Sequence, residues 1–254
     1  MKPLLKNKTI LMMGAPGTGK GSYSKKISKR FGIPVYSTGD HLRDIINNPN
    51  LNYNKLLIEK ISNSFSILDV PKYLNDILSK GELISKEIMQ SLILFTLDNV
   101  NKTENNSIIL DGYPRTISQA KEFDTLYKRP INLVLNVEQH KDIIIKKLLG
   151  RRQCSNCPSA YNVTDINENG YNMPSLKPKK ENICNLCGSD LYKRSDDTEA
   201  IISERLKIYD EKSKDILEYY QNKNTLRTVE MKKGFDDIGL LYNIVESELI
   251  NKNI

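Results

Sequence analysis

The chain has no apolar run approaching the roughly 18 residues that a membrane span requires, and its mean hydropathy is −0.48. That argues against a helical membrane protein. Histidine is scarce: His41 and His140 are the only two in 254 residues, and neither falls in a motif that suits catalysis. Chemistry resting on a histidine base is therefore not what this sequence offers. No internal repeat is present, and the first apolar run begins so near Met1 that a cleaved leader has no room. The expectation is a cytoplasmic protein; an uncleaved organellar address, such as a mitochondrial one, can leave no trace in composition. Cysteine is limited to four residues, and 38 basic against 31 acidic side chains leave a net charge of +7. A basic balance suits anionic partners, and nucleotides satisfy it as well as nucleic acids do.

What the chain does have is an alternation of short apolar runs with helical patterns, which predicts a parallel sheet covered by helices. The strand-like runs are Ile10 to Met13, Val35-Tyr36, Ser107 to Leu110, Ile131 to Val137 and Leu226 to Val229. Between them, Gly21 to Arg30, Lys86 to Asn99, His140 to Leu149 and Glu199 to Tyr220 carry apolar residues at helical spacing. Two stretches break this rhythm. From about Thr38 to Ile84, Asp69-Val70-Pro71 followed by Gly81 marks one helix, with its proline early and its glycine past the end. The second stretch, Gly150 to Arg194, holds every cysteine. Asn47 to Asn52 and Asn101 to Asn106 are Asn-biased and read as compositional drift in loops.

Directly after the first apolar run stands Gly14-Ala15-Pro16-Gly17-Thr18-Gly19-Lys20-Gly21-Ser22, which fits G-x-x-x-x-G-K-[ST]. Glycines let the backbone wrap a polyphosphate so that successive N–H groups and the positive end of the following helix face it. Gly17, Thr18, Gly19, Lys20, Gly21 and Ser22 are thus candidates to bind a nucleoside triphosphate, with Lys20 on the β/γ-phosphates and Ser22 on Mg²⁺.

Cys154, Cys157, Cys184 and Cys187 form two C-x2-C pairs 26 residues apart. Each pair is a knuckle that presents two thiolates to one tetrahedral Zn²⁺, so the four make a structural zinc site. Two disulfides or redox pairs are the alternative, against which the absence of a secretion signal weighs. A site with four protein ligands has no open position and holds shape only.

Two further motifs follow predicted strands, where open α/β sheets bind ligands. They are Ser37-Thr38-Gly39-Asp40-His41-Leu42-Arg43 and Asp111-Gly112-Tyr113-Pro114-Arg115-Thr116-Ile117-Ser118-Gln119. Each supplies an arginine for bidentate phosphate contact, and the Gln119 amide can both donate to and accept from a purine base. Taken singly, Arg43 and Arg115 would pass as surface cations.

In this order, GAPGTGKGS, STGDHLR, LDGYPRTISQ, GRR and RSDD make the chain resemble the adenylate kinase family of nucleoside monophosphate kinases, from Lys8 to about Phe235. The resemblance implies an α/β P-loop NTPase core over residues 1–37, 85–149 and 195–254, an AMP-binding helical domain over 38–84, and a zinc-containing lid over 150–194. It implies that Thr38, Arg43, Glu82-Leu83-Ile84, Gly112, Arg115 and Gln119 hold AMP. It places Arg151, Arg194 and Arg205, with Lys20, Arg43 and Arg115, on the transferring phosphates, and Asp111 beside the Mg²⁺ waters. Tyr161 would cover the donor base, and the backbone around Lys232-Lys233-Gly234 would contact it. The implied activity is reversible transfer of the γ-phosphoryl group of ATP to AMP by a monomer, needing Mg²⁺ and structural Zn²⁺ but neither nucleic acid nor membrane. A GTP:AMP enzyme of the same family is the alternative. From another class, a zinc-ribbon nucleic-acid binder would explain the charge and the cysteines but not Gly112, Arg115 and Gln119 in register. An inactive, regulatory relative is a further alternative, against which the intact arginines stand.

The sequence departs from the family pattern in three places. Lys147 stands where an arginine usually stacks on the donor base, and an ammonium lacks the planar face. The lid is longer than usual between its cysteine pairs, the extra residues falling at Asp165 to Ser175, where Asn and Gly predict a loop. The AMP-binding part is longer around Asn47 to Tyr73. Loop growth costs little entropy, so both insertions read as neutral.

Overall fold

The computed structural model describes residues 5–101, 105–127 and 129–251. In chain order the elements are β1 (Thr9–Gly14), α1 (Lys20–Phe31), β2 (Val35–Ser37), α2 (Thr38–Asn47), α3 (Asn52–Phe65), α4 (Val70–Ser79) and α5 (Lys86–Asn101). They continue with β3 (Ile108–Asp111), α6 (Ile117–Leu126), β4 (Leu133–Glu138), α7 (Lys141–Leu149), β5 (Arg151–Cys154), β6 (Ala160–Asn162), β7 (Ile166–Glu168) and β8 (Tyr171–Met173). The last are β9 (Leu191–Tyr192), α8 (Glu199–Asn222), β10 (Leu226–Glu230), a 3₁₀ turn (Gly234–Asp237) and α9 (Ile238–Leu249).

Five parallel strands form the central sheet in the order β10-β4-β1-β3-β2. Apolar residues fill most of β1, β3 and β4, with the buried Asn136 the exception in the middle of β4, because both faces of the sheet are covered. Leu11, Met13, Ile108, Leu110 and Val134 pack into one layer, while Ile10, Met12, Ile109, Leu133, Leu135 and Val137 pack into the other. From β1 the chain runs through α1 to the edge strand β2, returns to β3 beside β1 and then crosses to β4 on the other side of β1, so a crevice opens at the carboxyl end of β1. Gly14 closes that strand at φ +135, and a Cβ there would lie 2.3 Å from the Val137 carbonyl oxygen. Only glycine fits so close to β4.

The two stretches that break the α/β rhythm fold differently from each other. Residues 38–84 are helical, and Asp69 caps α4 by accepting from the Lys72 N–H, with Pro71 in the first turn, as the sequence predicts. Of the Asn-biased stretch Asn47 to Asn52, residues 48–51 form the loop between α2 and α3, and the helix that follows is anchored by an asparagine of its own. Asn52 opens α3, and the buried Asn54 amide donates to the carbonyl oxygens of Asp44 and Asn48, while Leu57 and Ile61 enter the core. Residues 102–104 of the other Asn-biased stretch lie outside the described residues. In residues 150–194 the structure corrects the expected loop at Asp165 to Ser175: β7 and β8 form an antiparallel hairpin. Its two-residue turn, Asn169-Gly170, has φ of +50 and +78, the left-handed pair that a tight hairpin requires. No described helix is long and apolar enough to cross a membrane.

Candidate active site

A cavity of about 460 Å³ opens at the carboxyl end of β1 and extends beneath residues 150–194. Its described wall carries ten lysines and arginines against three aspartates, so it is built for a polyanion. Helix α1 points its first turn at this space, with no side-chain cap and no acidic residue to occupy its N–H groups. Lys20 folds back so that Nζ donates to the carbonyl oxygens of Gly14 and Ala15 at 2.7 and 2.8 Å. Burial pushes its pKa down to about 8, an effect that Asp111 opposes and Arg115, Arg205 and Arg151 reinforce. Gly17, Gly19, Gly21 and Ser22 share the wall. Thr18 does not, because its hydroxyl is turned inward onto the Ala15 carbonyl.

Arg43, Arg115, Arg151, Arg194 and Arg205 reach the cavity from five different segments. Their fields accumulate: burial, then Arg151 and Arg43, push Arg194 down to about 9, while burial chiefly lowers Arg205 to about 10. Carboxylates hold the arginines in place. Asp196 accepts from Arg205 at 2.7 Å and Arg43 at 3.4 Å, and the fully buried Asp197 takes Arg151 through both oxygens at 2.8 and 2.5 Å. Burial pushes Asp196 up, but Arg205, Arg43 and the neighbouring arginines outweigh it and hold the carboxyl below its usual range. Gln153 accepts from Arg194 Nε at 2.6 Å, and Asp40 lies 3.6 Å from the same guanidinium. These positioning groups escaped the sequence reading, although the adjacent pair Asp196-Asp197, two residues beyond Arg194, is a visible signal of carboxylates held near the arginines.

On the opposite wall, Gly112 sits at φ +84, where a Cβ would come within 2.6 Å of Thr38 Oγ1. The Thr38 hydroxyl donates to the Gly112 carbonyl at 3.0 Å, and Arg115 Nε donates to the same oxygen at 2.8 Å. Gln119 is buried and its Oε1 accepts from the Arg115 N–H at 2.7 Å, so the amide oxygen is engaged by the motif itself. Leu83 lines the cavity, Glu82 is exposed beside it, and Ile84 is buried in the core. Asp111 faces the cavity near Gly21, and burial raises its carboxyl although Lys20 opposes the shift.

At the far end, Tyr161, Lys233, Gly234 and Phe235 line the wall. The Tyr161 hydroxyl is spent on the cysteine knuckle, accepting from the Asn185 N–H at 2.7 Å and lying 3.5 Å from Cys184 Sγ. Lys147 does not reach across the cavity; its ammonium donates to Gln139 Oε1 and the Thr18 carbonyl at 2.6 and 3.2 Å, and burial lowers its pKa to about 7.

The four cysteines bring their sulfurs within 4.8 Å of one another, and none is disulfide-bonded. A Zn–S distance of about 2.3 Å would set tetrahedral S···S edges of roughly 3.8 Å, and Cys154–Cys187 and Cys157–Cys184 stand at 3.4 and 3.6 Å. Backbone N–H groups of Cys157 and Leu186 point at Cys154 and Cys184 Sγ, as thiolates favour. The cluster is compatible with a metal ion.

Comparison with known proteins agrees with this geometry. The sequence model of the family described as adenylate kinase matches residues 55–225. The adenylate kinase of Petrotoga mobilis is 33% identical over 242 residues, covering 94% of this chain and 97% of that protein. The adenylate kinase of Thermosipho melanesiensis is 31% identical, covering 90% and 94%, and that of Caldicellulosiruptor saccharolyticus 33% identical, covering 86% and 89%. With a phosphate loop, a ring of arginines and a four-cysteine knuckle in one fold, the chain belongs to the adenylate kinase family of phosphotransferases.

Proposed function

We propose that this chain transfers the γ-phosphoryl group of ATP to AMP reversibly, within one cavity completed by a single copy of the chain. The observation that carries this reading is the convergence of Lys20, Arg43, Arg115, Arg151, Arg194 and Arg205 on one space. Residues 1–37, 85–149 and 195–254 act as the core, 38–84 as the AMP-binding domain and 150–194 as the lid. The glycine loop and Lys20 hold the donor's β- and γ-phosphates. Arg43 and Arg115 hold the AMP phosphate, with Thr38, Gly112 and the Gln119 NH₂ group toward its nucleoside. Glu82, Leu83 and Ile84 act mainly through backbone there, since Ile84 buries its side chain.

An oxygen of the AMP phosphate attacks the γ-phosphorus, and the bond to the β,γ-bridging oxygen breaks, its electrons leaving with ADP. The attacking phosphate is already ionised near neutral pH, so no proton has to be moved. That accounts for a site without a histidine. Charge spreads over the γ-oxygens in the transition state, and the fixed guanidiniums of Arg151, Arg194 and Arg205 meet it without reorganising. Asp196, Asp197 and Gln153 do the fixing. The lid excludes water that would otherwise take the phosphoryl group.

Ser22 and Asp111 offer an oxygen-only pair on the wall, which suits a hard cation that keeps most of its waters. When bound there, Mg²⁺ neutralises β- and γ-phosphate charge. The cysteines suit Zn²⁺, which holds the shape of the lid.

The test is to offer ATP, GTP and ITP separately with AMP, CMP and UMP and to follow diphosphate formation. ATP with AMP should give two ADP. Absence of turnover with every pair would overturn the reading, and a preference for GTP would reassign the donor.

A further inference from the structure

The hairpin β7–β8 extends the lid, yet its contacts run to the sheet core. The Asn172 N–H donates to the Lys232 carbonyl at 2.9 Å, in the segment between β10 and the 3₁₀ turn. The Tyr171 hydroxyl accepts from the His140 N–H at 2.8 Å and donates to Glu230 Oε1 at 2.6 Å. Ile166, Tyr171 and Met173 form a buried cluster with Ile143 of α7. Every anchor lies on the β4–α7 or β10 side of the core, which the phosphate loop also borders through Val137.

From these anchors Met173 reaches the cavity wall while remaining only 6% exposed. It lies beside Gly234, where an added Cβ would come 3.7 Å from Met173 Cγ. Gln139 ties it to the phosphate loop: Nε2 donates to the Met231 carbonyl at 2.9 Å and approaches Met173 Sδ at 3.9 Å. The same amide's Oε1 accepts from Lys147, which donates to the Thr18 carbonyl. Met173 is thus two side chains from the loop that grips the donor's phosphates, on the apolar stretch of wall with Ile166, Pro174 and Phe235.

We propose that the hairpin builds the wall of the donor-nucleobase slot and that Met173 is the residue on it that contacts the base. This rests on the assignment of the phosphate loop to the donor. A thioether suits the role, because it is polarisable and packs against aromatic rings. The insertion therefore sets donor affinity and base preference through an element fastened to the core, while Tyr171 and Asn172 position it.

The test separates base from phosphate contacts. Binding of ATP and of inorganic tripolyphosphate, each with Mg²⁺, is measured by calorimetry on the zinc-loaded wild type and on Met173→Ala, together with KM for ATP and for AMP. Loss of the side chain should weaken ATP on the order of ten-fold, as removal of a few methylenes from a pocket does. Tripolyphosphate affinity and the KM for AMP should hold within about two-fold, and Met173→Leu should recover most of the loss. Unchanged ATP affinity, or equal weakening of ATP and tripolyphosphate, would overturn the proposal. Should Met173→Ala lose its cooperative melting transition, Tyr171→Phe carries the same readouts: selective weakening of ATP supports the wall, and no selectivity overturns it. A wild type that binds ATP but makes no ADP from ATP and AMP would instead fault the assigned reaction.

Discussion

The two ends of the cavity are built on opposite principles. At the phosphate end, Arg43, Arg115, Arg151, Arg194 and Arg205 crowd together, and buried carboxylates pin several of them, so function there is charge held in place. At the end proposed to take the donor base the described wall offers Met173, Pro174, Phe235 and the Tyr161 ring, held by a cysteine knuckle and a hairpin, so what it supplies is shape. The difference teaches where damage should be felt. Charge placed for a transition state affects rate, whereas shape affects affinity and stability.

The sharpest break comes at the charged end. Arg115→Ala should remove about 3–4 kcal/mol of transition-state stabilisation, read as a fall of some hundred- to a thousand-fold in kcat/KM, with Tm little changed. A nearly unchanged turnover would count against the arginine's role. Asp197→Ala tests the holding rather than the charge. It strips a fully buried partner from Arg151, so both stability and rate should fall, by about 2–3 kcal/mol in chemical denaturation.

Removing the metal tests the shaped end. Exhaustive chelation should lower Tm on the order of 10 °C and release one zinc per chain, while KM for AMP changes less than KM for ATP. An unmoved transition with no zinc released would dissolve the contrast.

The smallest expected effect is a pH dependence at Lys147. Its folded pKa is about 7 against an ordinary 10.5, so between those values the unfolded chain binds the extra proton. Stability should therefore rise with pH across that window and be lowest below it. Lys20, lowered to about 8, contributes in the same sense. In nucleotide-free protein, Lys147→Met should flatten part of the rise in Tm between pH 7 and 9.5.

Much of this contrast is legible in the sequence, but unevenly. The core strands show because apolar residues fill most of each where both faces are buried, and the phosphate loop shows because glycine spacing is itself the mechanism. The cysteine knuckle shows for the same reason. Which carboxylate meets which guanidinium does not: Asp196 bridges Arg43 and Arg205 across 153 and nine residues of chain, and pairing at such separation is a property of the fold. The hairpin went unread for a different cause. Asn169-Gly170 is a strong turn signal, but strands of three residues on either side carry too little alternation to register. Helix α3 hid likewise, since Asn54 is polar in sequence and yet fully buried, its amide bonded to the end of α2.

The central claim is that one cavity holds donor and acceptor phosphates in line. Two adenosines joined by a chain of phosphates long enough to span both ends test it directly by calorimetry and inhibition. The account predicts one molecule bound per chain, more tightly than ATP or AMP alone, and competitive against both. Two molecules bound per chain, or competition with only one substrate, would contradict it.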